Sequence, residues 1–193
     1  MVAILTEDRP QPILMREGSR FLGGEPLTAG SRVSGRVFEI HRKPEVAGEH
    51  GLPKPSVPEA FVSRAGLAGD FNRYRHEEKR DDPAMALLIM PRETLDELSR
   101  EGWPVRPGDL GENITTEGIA YDAFVPGHRF RAGEVVLEVS KACTPCDNLF
   151  LLPYVGPSRG PEFLKVMLNR RGWYALILRE GWVRAGDRFE ATD

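Results

Sequence analysis

The sequence predicts a mainly β domain with a few short helices, built as a sandwich or a barrel. Three observations predict it. The 193 residues include 20 Gly and 16 Pro, a density that cuts a chain into short elements and disfavours a helical bundle. Several segments of strand length alternate apolar with polar residues or run continuously apolar. Turn signals separate them at the spacing of an all-β domain: Arg106-Pro-Gly-Asp109, Pro126-Gly-His128, Arg131-Ala-Gly-Glu134 and Arg184-Ala-Gly-Asp187.

In chain order, residues 1–32 carry Pro10, Pro12, Gly18, Gly23, Gly24, Pro26 and Gly30 and read as an irregular N-terminal extension, so the domain proper is expected over 33–193. Residues 33–41 (V-S-G-R-V-F-E-I-H) have strand-like alternation and β-branched content. Pro44, Pro53, Pro55 and Pro58 mark a loop, and residues 61–64 form a short strand ending at Gly66. Arg73, Arg75, His76, Lys79 and Arg80 read as a solvated basic run, or as a flexible loop bringing cations and an imidazole to a pocket mouth. Residues 84–90 are uninterrupted apolar, a buried strand; Pro91 then suits a first helical position, with Leu95 and Leu98 on the inner face and Gly102 at the end. Residues 134–141 alternate as a strand. Residues 161–171 read as a helix whose apolar face is Phe163, Leu164, Met167 and Leu168, stopped by Gly172. Residues 173–178 and the chain after Asp187 are the last strands.

Net charge is −3, which removes any global electrostatic case for nucleic acid. No apolar run approaches the about 18 residues of a transmembrane helix. Met1 to Leu5 is short, lacks a basic start and runs into Glu7, Asp8 and Arg9, unlike a signal peptide; the expected compartment is the cytoplasm. The only cysteines, Cys143 and Cys146, cannot build the disulfide framework of a small secreted domain. They are expected as free thiols, metal ligands or catalytic groups.

Four segments are candidates for chemistry. Lys141-Ala-Cys-Thr-Pro-Cys146 ends a strand. It reads as a thiol–disulfide site, as half of a zinc site completed by histidines, or as two cysteines that merely pack. On local evidence alone the third reading is the strongest. Pro107-Gly-Asp-Leu-Gly-Glu-Asn-Ile-Thr-Thr-Glu-Gly118 is either a turn or an anion cradle, with backbone N–H groups at Gly108 and Gly111 and neutral donors from Asn113, Thr115 and Thr116. Gly66-Leu-Ala-Gly-Asp70 is a turn that leads into the basic run. Arg170-Arg171 sits at a helix end, which favours cations with or without a ligand; the pair could also clamp a phosphate.

In this order the four segments resemble the MOSC domain family, named for the C-terminal domain of molybdenum cofactor sulfurases. The resemblance spans residues 33–189 and includes Gly35-Arg-Val-Phe-Glu-Ile-His-Arg-Lys-Pro44, Gly66-Leu-Ala-Gly-Asp70, the run from Gly108 to Gly118, Pro145-Cys146, and Arg171-Gly-Trp-Tyr-Ala-Leu-Ile-Leu-Arg-Glu-Gly181. It implies a closed or nearly closed β-barrel of the pyruvate-kinase barrel-domain type. It also implies a role in binding the molybdenum cofactor (molybdopterin) or carrying sulfur to it; pyridoxal phosphate binding is a further family association. The family's cysteine follows a proline and so corresponds to Cys146, as a metal ligand or catalytic thiol. Asn113, Thr115, Thr116, Asp70 and Arg171 are the implied cofactor contacts. The sequence departs from the family at Phe71-Asn72, where Arg-His is frequent, which weakens His76 as a site residue. Asp147-Asn148 also stands where an aromatic-Lys pair is frequent. Residues 1–32 are too short for the second barrel of larger reductases.

Three functions follow as expectations. One is a molybdenum-dependent reductase of N-hydroxylated compounds, taking a small-molecule substrate and an electron-transfer partner. Another is a sulfur carrier with a Cys146 persulfide, served by a desulfurase. The last is a non-enzymatic binding barrel. None involves nucleic acid or a membrane.

Overall fold

The computed structural model describes residues 33–192; the expected extension over 1–32 lies outside the described residues. The elements run β1 (Ser34–His41), β2 (Ser56–Val57), β3 (Glu59–Ser63), β4 (Gly66–Leu67), α1 (Arg73–Lys79), β5 (Leu87–Pro91), α2 (Arg92–Arg100), β6 (Ile114–Glu117), β7 (Arg129–Ala132), β8 (Val135–Ala142), α3 (Gly156–Val166), β9 (Trp173–Arg179), β10 (Gly181–Arg184) and β11 (Arg188–Thr192). The strands join as β1-β11-β7-β8-β9-β5-β6 and return to β1, a closed seven-stranded barrel of the kind the sequence predicts. Six of the seven pairings are antiparallel. The parallel one, β5 with β6, needs a crossover, and α2 lies between them in the chain. Strands β10, β3 and β4 form a small separate sheet.

Phe124, Phe130 and Phe189 fill the barrel, with ring centroids 5.0–6.0 Å apart, together with Val37, Ile89, Ile114 and Leu137. A second apolar cluster joins α2 and α3 through Leu95, Leu98, Trp103, Phe163 and Met167. A bulge at Phe38 breaks the two-residue alternation of β1. Val37 and Ile40 therefore both enter the core, and the buried His41 turns to the other side of the sheet, toward Thr115.

Two elements differ from expectation. The basic run is a helix, α1, whose first turn is capped by the Asn72 side chain accepting from Arg75 N at 3.0 Å. It is not wholly solvated. Arg75 is buried and donates to the carbonyls of Ala65, Asp81 and Asp82, so one member of a charged stretch serves as a clamp. Helix α3 begins at Gly156, not at 161. Pro157 opens it, Pro161 sits inside it, and the chain has left the helix before Leu168, which is 57% exposed. Phe163 and, at the C-terminal cap, Met167 are buried in the second cluster, and Leu164 packs against it as expected.

Candidate functional site

The end of β8 runs into Cys143-Thr-Pro-Cys146 along the wall of a cavity of about 700 Å³. Cys143 is tied down: its N–H donates to Gly172 O at 2.9 Å, its thiol to Thr144 O at 3.7 Å, and it is buried. Cys146 is exposed and opens the short 3-10 turn Asp147–Leu151. Both cysteines are free thiols, and both line the cavity. Among the described residues no group of three or more His, Cys, Asp or Glu could hold a metal ion, so the zinc reading finds no ligand set here.

The two arginines at 170 and 171 part company. Arg170 turns outward, donating to both oxygens of Glu101 at 2.8 and 2.9 Å. Arg171 turns into the cavity wall, where it is 6% exposed, and neither its Nε nor its Nη1 has a hydrogen-bond partner among the described residues. The mouth carries Lys141, paired with Asp82 at 2.9 Å, and Arg73, 3.6 Å from Glu77. Lys141 and Arg73 are thus paired with carboxylates of the protein, and Lys79 lies over the Tyr74 ring, whereas the buried Arg171 has no such pairing among the described residues.

Lys54 also reaches the cavity, and sequence reasoning missed it. Its side chain is 4% exposed and its Nζ donates to Asp70 Oδ2 at 2.6 Å. Burial lowers the Lys54 ammonium below its ordinary range; Asp70 and Glu112 oppose this, and Arg171 adds to it by repulsion. The available signal was a lone cation between Pro53 and Pro55, a setting that holds a backbone rigid.

The residues expected to touch a cofactor lie behind this wall. Asn113 Oδ1 accepts from Leu88 N at 3.1 Å, and its Nδ2 donates to Asp70 Oδ2 at 2.8 Å. Asp70 Oδ1 accepts from Lys43 N at 2.9 Å. Thr115 donates to Glu112 Oε1 at 3.1 Å and lies 3.2 Å from His41 Nε2. Thr116 is fully buried, and its hydroxyl has no hydrogen-bond partner among the described residues. None of these four residues lines the cavity; of the six expected site residues only Cys146 and Arg171 do. His76 pairs with Asp81 on the surface and is likewise absent from the wall. Gly108 explains the packing behind the wall. Its φ of +86° is left-handed, and a Cβ there would strike Lys54 O and the His41 ring.

Tyr174 completes the wall beside the thiols. Burial, followed by the neighbouring Cys143, pushes its phenol well above the ordinary range, so it stays a neutral donor. Met85, Leu88 and Leu110 supply an apolar side, and exposed Tyr74 and Leu151 lie at the mouth.

The MOSC domain model matches residues 74–190, more than half of the chain. The chain belongs to the MOSC domain family. Solved structures similar to this MOSC domain include YiiM from Escherichia coli at 23% identity and a TM-score of 0.58, covering 84% of this chain and 69% of that one. YiiM from Geobacillus stearothermophilus matches at 22% identity and a TM-score of 0.62, covering 82% and 75%. The YUAD protein from Bacillus subtilis matches at 17% identity and a TM-score of 0.68, covering 83% and 97%. Likeness at this identity establishes the barrel fold alone. No curated protein matches the chain. No helix among the described residues is long and apolar enough to cross a membrane.

Proposed function

We propose that this MOSC domain protein holds the molybdenum cofactor in the cavity, with the Cys146 thiolate as a ligand to the metal, and reduces N-hydroxylated compounds. One observation carries the reading: a single cavity joins an exposed thiol to a buried guanidinium whose Nε and Nη1 have no hydrogen-bond partner among the described residues. The donor set suits the group. A soft thiolate matches a metal already held by sulfur, and a guanidinium matches an anionic substituent. The volume of about 700 Å³ lies within the range of small-molecule and cofactor pockets.

Bound there, the cofactor supplies two-electron, oxygen-removing chemistry. The chain's own residues bind and orient. Cys146 presents sulfur to the open cavity, Arg171 and Lys54 make one wall cationic, and Met85, Leu88 and Leu110 keep water from the apolar side. Tyr174 keeps its proton, so its hydroxyl stays a donor on the wall. A small-molecule substrate enters past Tyr74 and Leu151, and the electrons come from a partner protein.

Metal analysis tests this on protein produced in a host that makes the cofactor. Wild type should retain molybdenum and Cys146→Ser should retain far less; molybdenum in neither removes the reading. A second reading has one observation in its favour: Cys146 is the exposed thiol of the two. In that reading a desulfurase loads Cys146 with a persulfide. Peptide mass spectrometry after incubation with a sulfur donor should place the adduct on Cys146, and an adduct on Cys143 alone would dismiss it.

A further inference from the structure

We infer that Lys54 is the catalytic proton donor of the cavity: its ammonium supplies the proton that carries the substrate oxygen away as water, and Asp70 is the positioning residue that aims it. The inference rests on the reductase reading and deepens it, but one of its two tests needs neither metal nor activity.

The chemistry sets the demand. Removing oxygen from an N-hydroxylated compound, R–NH–OH, takes two electrons and two protons and yields R–NH2 and water. When the N–O bond breaks, its electron pair leaves on oxygen, and one proton completes the water. The nitrogen takes the two electrons, which the molybdenum cofactor of that reading supplies, and the second proton, which comes from solvent at the mouth. Hydroxide leaves poorly, so an acid within hydrogen-bond reach of that oxygen is worth about 100- to 10,000-fold.

Few groups on the wall meet the demand. Arg171 is buried there, but a guanidinium does not release its proton in a protein. Burial drives the Tyr174 phenol above its ordinary range, which makes it a still weaker acid. The Cys143 thiol donates to Thr144 O. Arg73, Lys79, Lys141 and His50 stand at the exposed mouth, open to water. Lys54 differs from all of these. Its side chain is 4% exposed and reaches the cavity, and its Nζ donates to Asp70 Oδ2 at 2.6 Å. An ammonium has three N–H donors, so two remain for a substrate oxygen.

The surroundings of Lys54 hold its proton without locking it. Burial is the largest influence and lowers its pKa below the ordinary lysine range; Asp70 and Glu112 oppose this, and Arg171 adds to it. His41, also close, is kept neutral by its own burial. A lysine tuned down toward the working pH is a better acid than a free one. Asp70 is fixed by Lys43 N at 2.9 Å and Asn113 Nδ2 at 2.8 Å, and Asn113 is anchored on the backbone of β5 through Leu88 N. Lys54 N donates to Gly108 O at 2.9 Å. A long flexible stem is thereby held in one place, which proton transfer in a defined direction needs. Asp70, expected from the sequence as a cofactor contact, acts through Lys54.

The first test is NMR of isotope-labelled lysine against pH, in protein without cofactor; the Lys54 signal is the one missing from Lys54→Met. Lys54 should titrate below the ordinary lysine value of about 10.4. It should titrate lower still in Asp70→Asn, which removes the carboxylate that holds the proton. A wild-type midpoint at or above the ordinary value overturns the inference, and so does one that fails to fall in Asp70→Asn.

The second test is turnover of N-phenylhydroxylamine by molybdenum-loaded protein, with reduced methyl viologen as electron donor. Lys54→Met should keep its molybdenum and lose at least about 100-fold in kcat. Lys54→Arg keeps the charge but releases no proton, so it should be equally impaired. Recovery by arginine would make Lys54 a fixed charge and overturn the inference, as would a Lys54→Met rate close to wild type. Lys54→Met leaves Asp70 unpaired, so its folding is checked first, and Lys54→Arg decides if it fails. Wild type that turns over while Lys54 titrates normally keeps the reductase reading and removes the inference. Wild type with neither molybdenum nor turnover removes the reading, and with it the reaction Lys54 would serve.

Discussion

Replacing Asn113 by alanine separates a scaffold residue from a ligand contact. In this structure its carboxamide accepts from Leu88 N at 3.1 Å and donates to Asp70 Oδ2 at 2.8 Å and His41 O at 3.4 Å. Alanine abolishes all three. The Leu88 N–H stays buried without that acceptor, and a buried donor left unsatisfied costs about 1–3 kcal/mol. Asp70 loses one donor but keeps Lys43 N and Lys54 Nζ, so its share is smaller. With the space left by the amide, the expected loss is about 2–4 kcal/mol. Against a total stability of about 5–15 kcal/mol, that is readily measured. Urea unfolding followed by tryptophan fluorescence, without any ligand, is the assay. A loss below about 0.5 kcal/mol, the range of a surface change, would refute the reasoning and return Asn113 to the role of a contact that matters only when something is bound.

Three further outcomes are expected. Burial lowers the His41 pKa, more than offsetting Glu112 and Glu39, so below about pH 6.5 the unfolded chain takes up a proton that the folded chain refuses. The stability from the neutral ring is intact above that pH and is lost as pH falls, by up to about 1.4 kcal/mol per unit. Urea midpoints of wild type and His41→Gln should therefore converge as pH falls below about 6.5, and a pH-independent gap would contradict a buried neutral ring. Gly108→Ala should lose about 1–2 kcal/mol from the left-handed backbone alone and more from the collision with Lys54 O and His41; stability equal to wild type in a thermal melt would mean the loop moves aside. Iodoacetamide on native protein should label Cys146 well before Cys143, because only the former is exposed; peptide mapping that finds Cys143 labelled first would reverse the assignment of the two thiols.

Much of the fold was legible. The alternation in β8, the apolar run of β5 and the glycines and prolines between strands are local signals. They report which residues can share a pleated, half-buried surface. The helix α1 was not legible, because it is short and highly charged. Its stability comes from Asn72 at its start and from Arg75 reaching carbonyls up to ten residues away. The start of α3 was placed at Pro161, whereas the helix begins five residues earlier with Pro157 in its first turn, where a proline costs no hydrogen bond, and Pro161 lies inside it.

By itself the sequence determined that the chain is a β-rich domain with MOSC motifs in order, and that Cys146 and Arg171 deserved to be candidates. Those conclusions depend on residue type and spacing, which are properties of the chain. Only the tertiary structure decided which polar groups face the cavity and which face one another. It bonded Asn113 to Asp70 and Thr115 to Glu112 behind the cavity wall, turned Arg170 outward and Arg171 inward, and brought Lys54 to the wall that also holds Arg171, more than a hundred residues along the chain. A side chain's donors can be spent on a neighbour or left for a ligand. That choice is made when the barrel closes and strands distant in sequence come within hydrogen-bond reach.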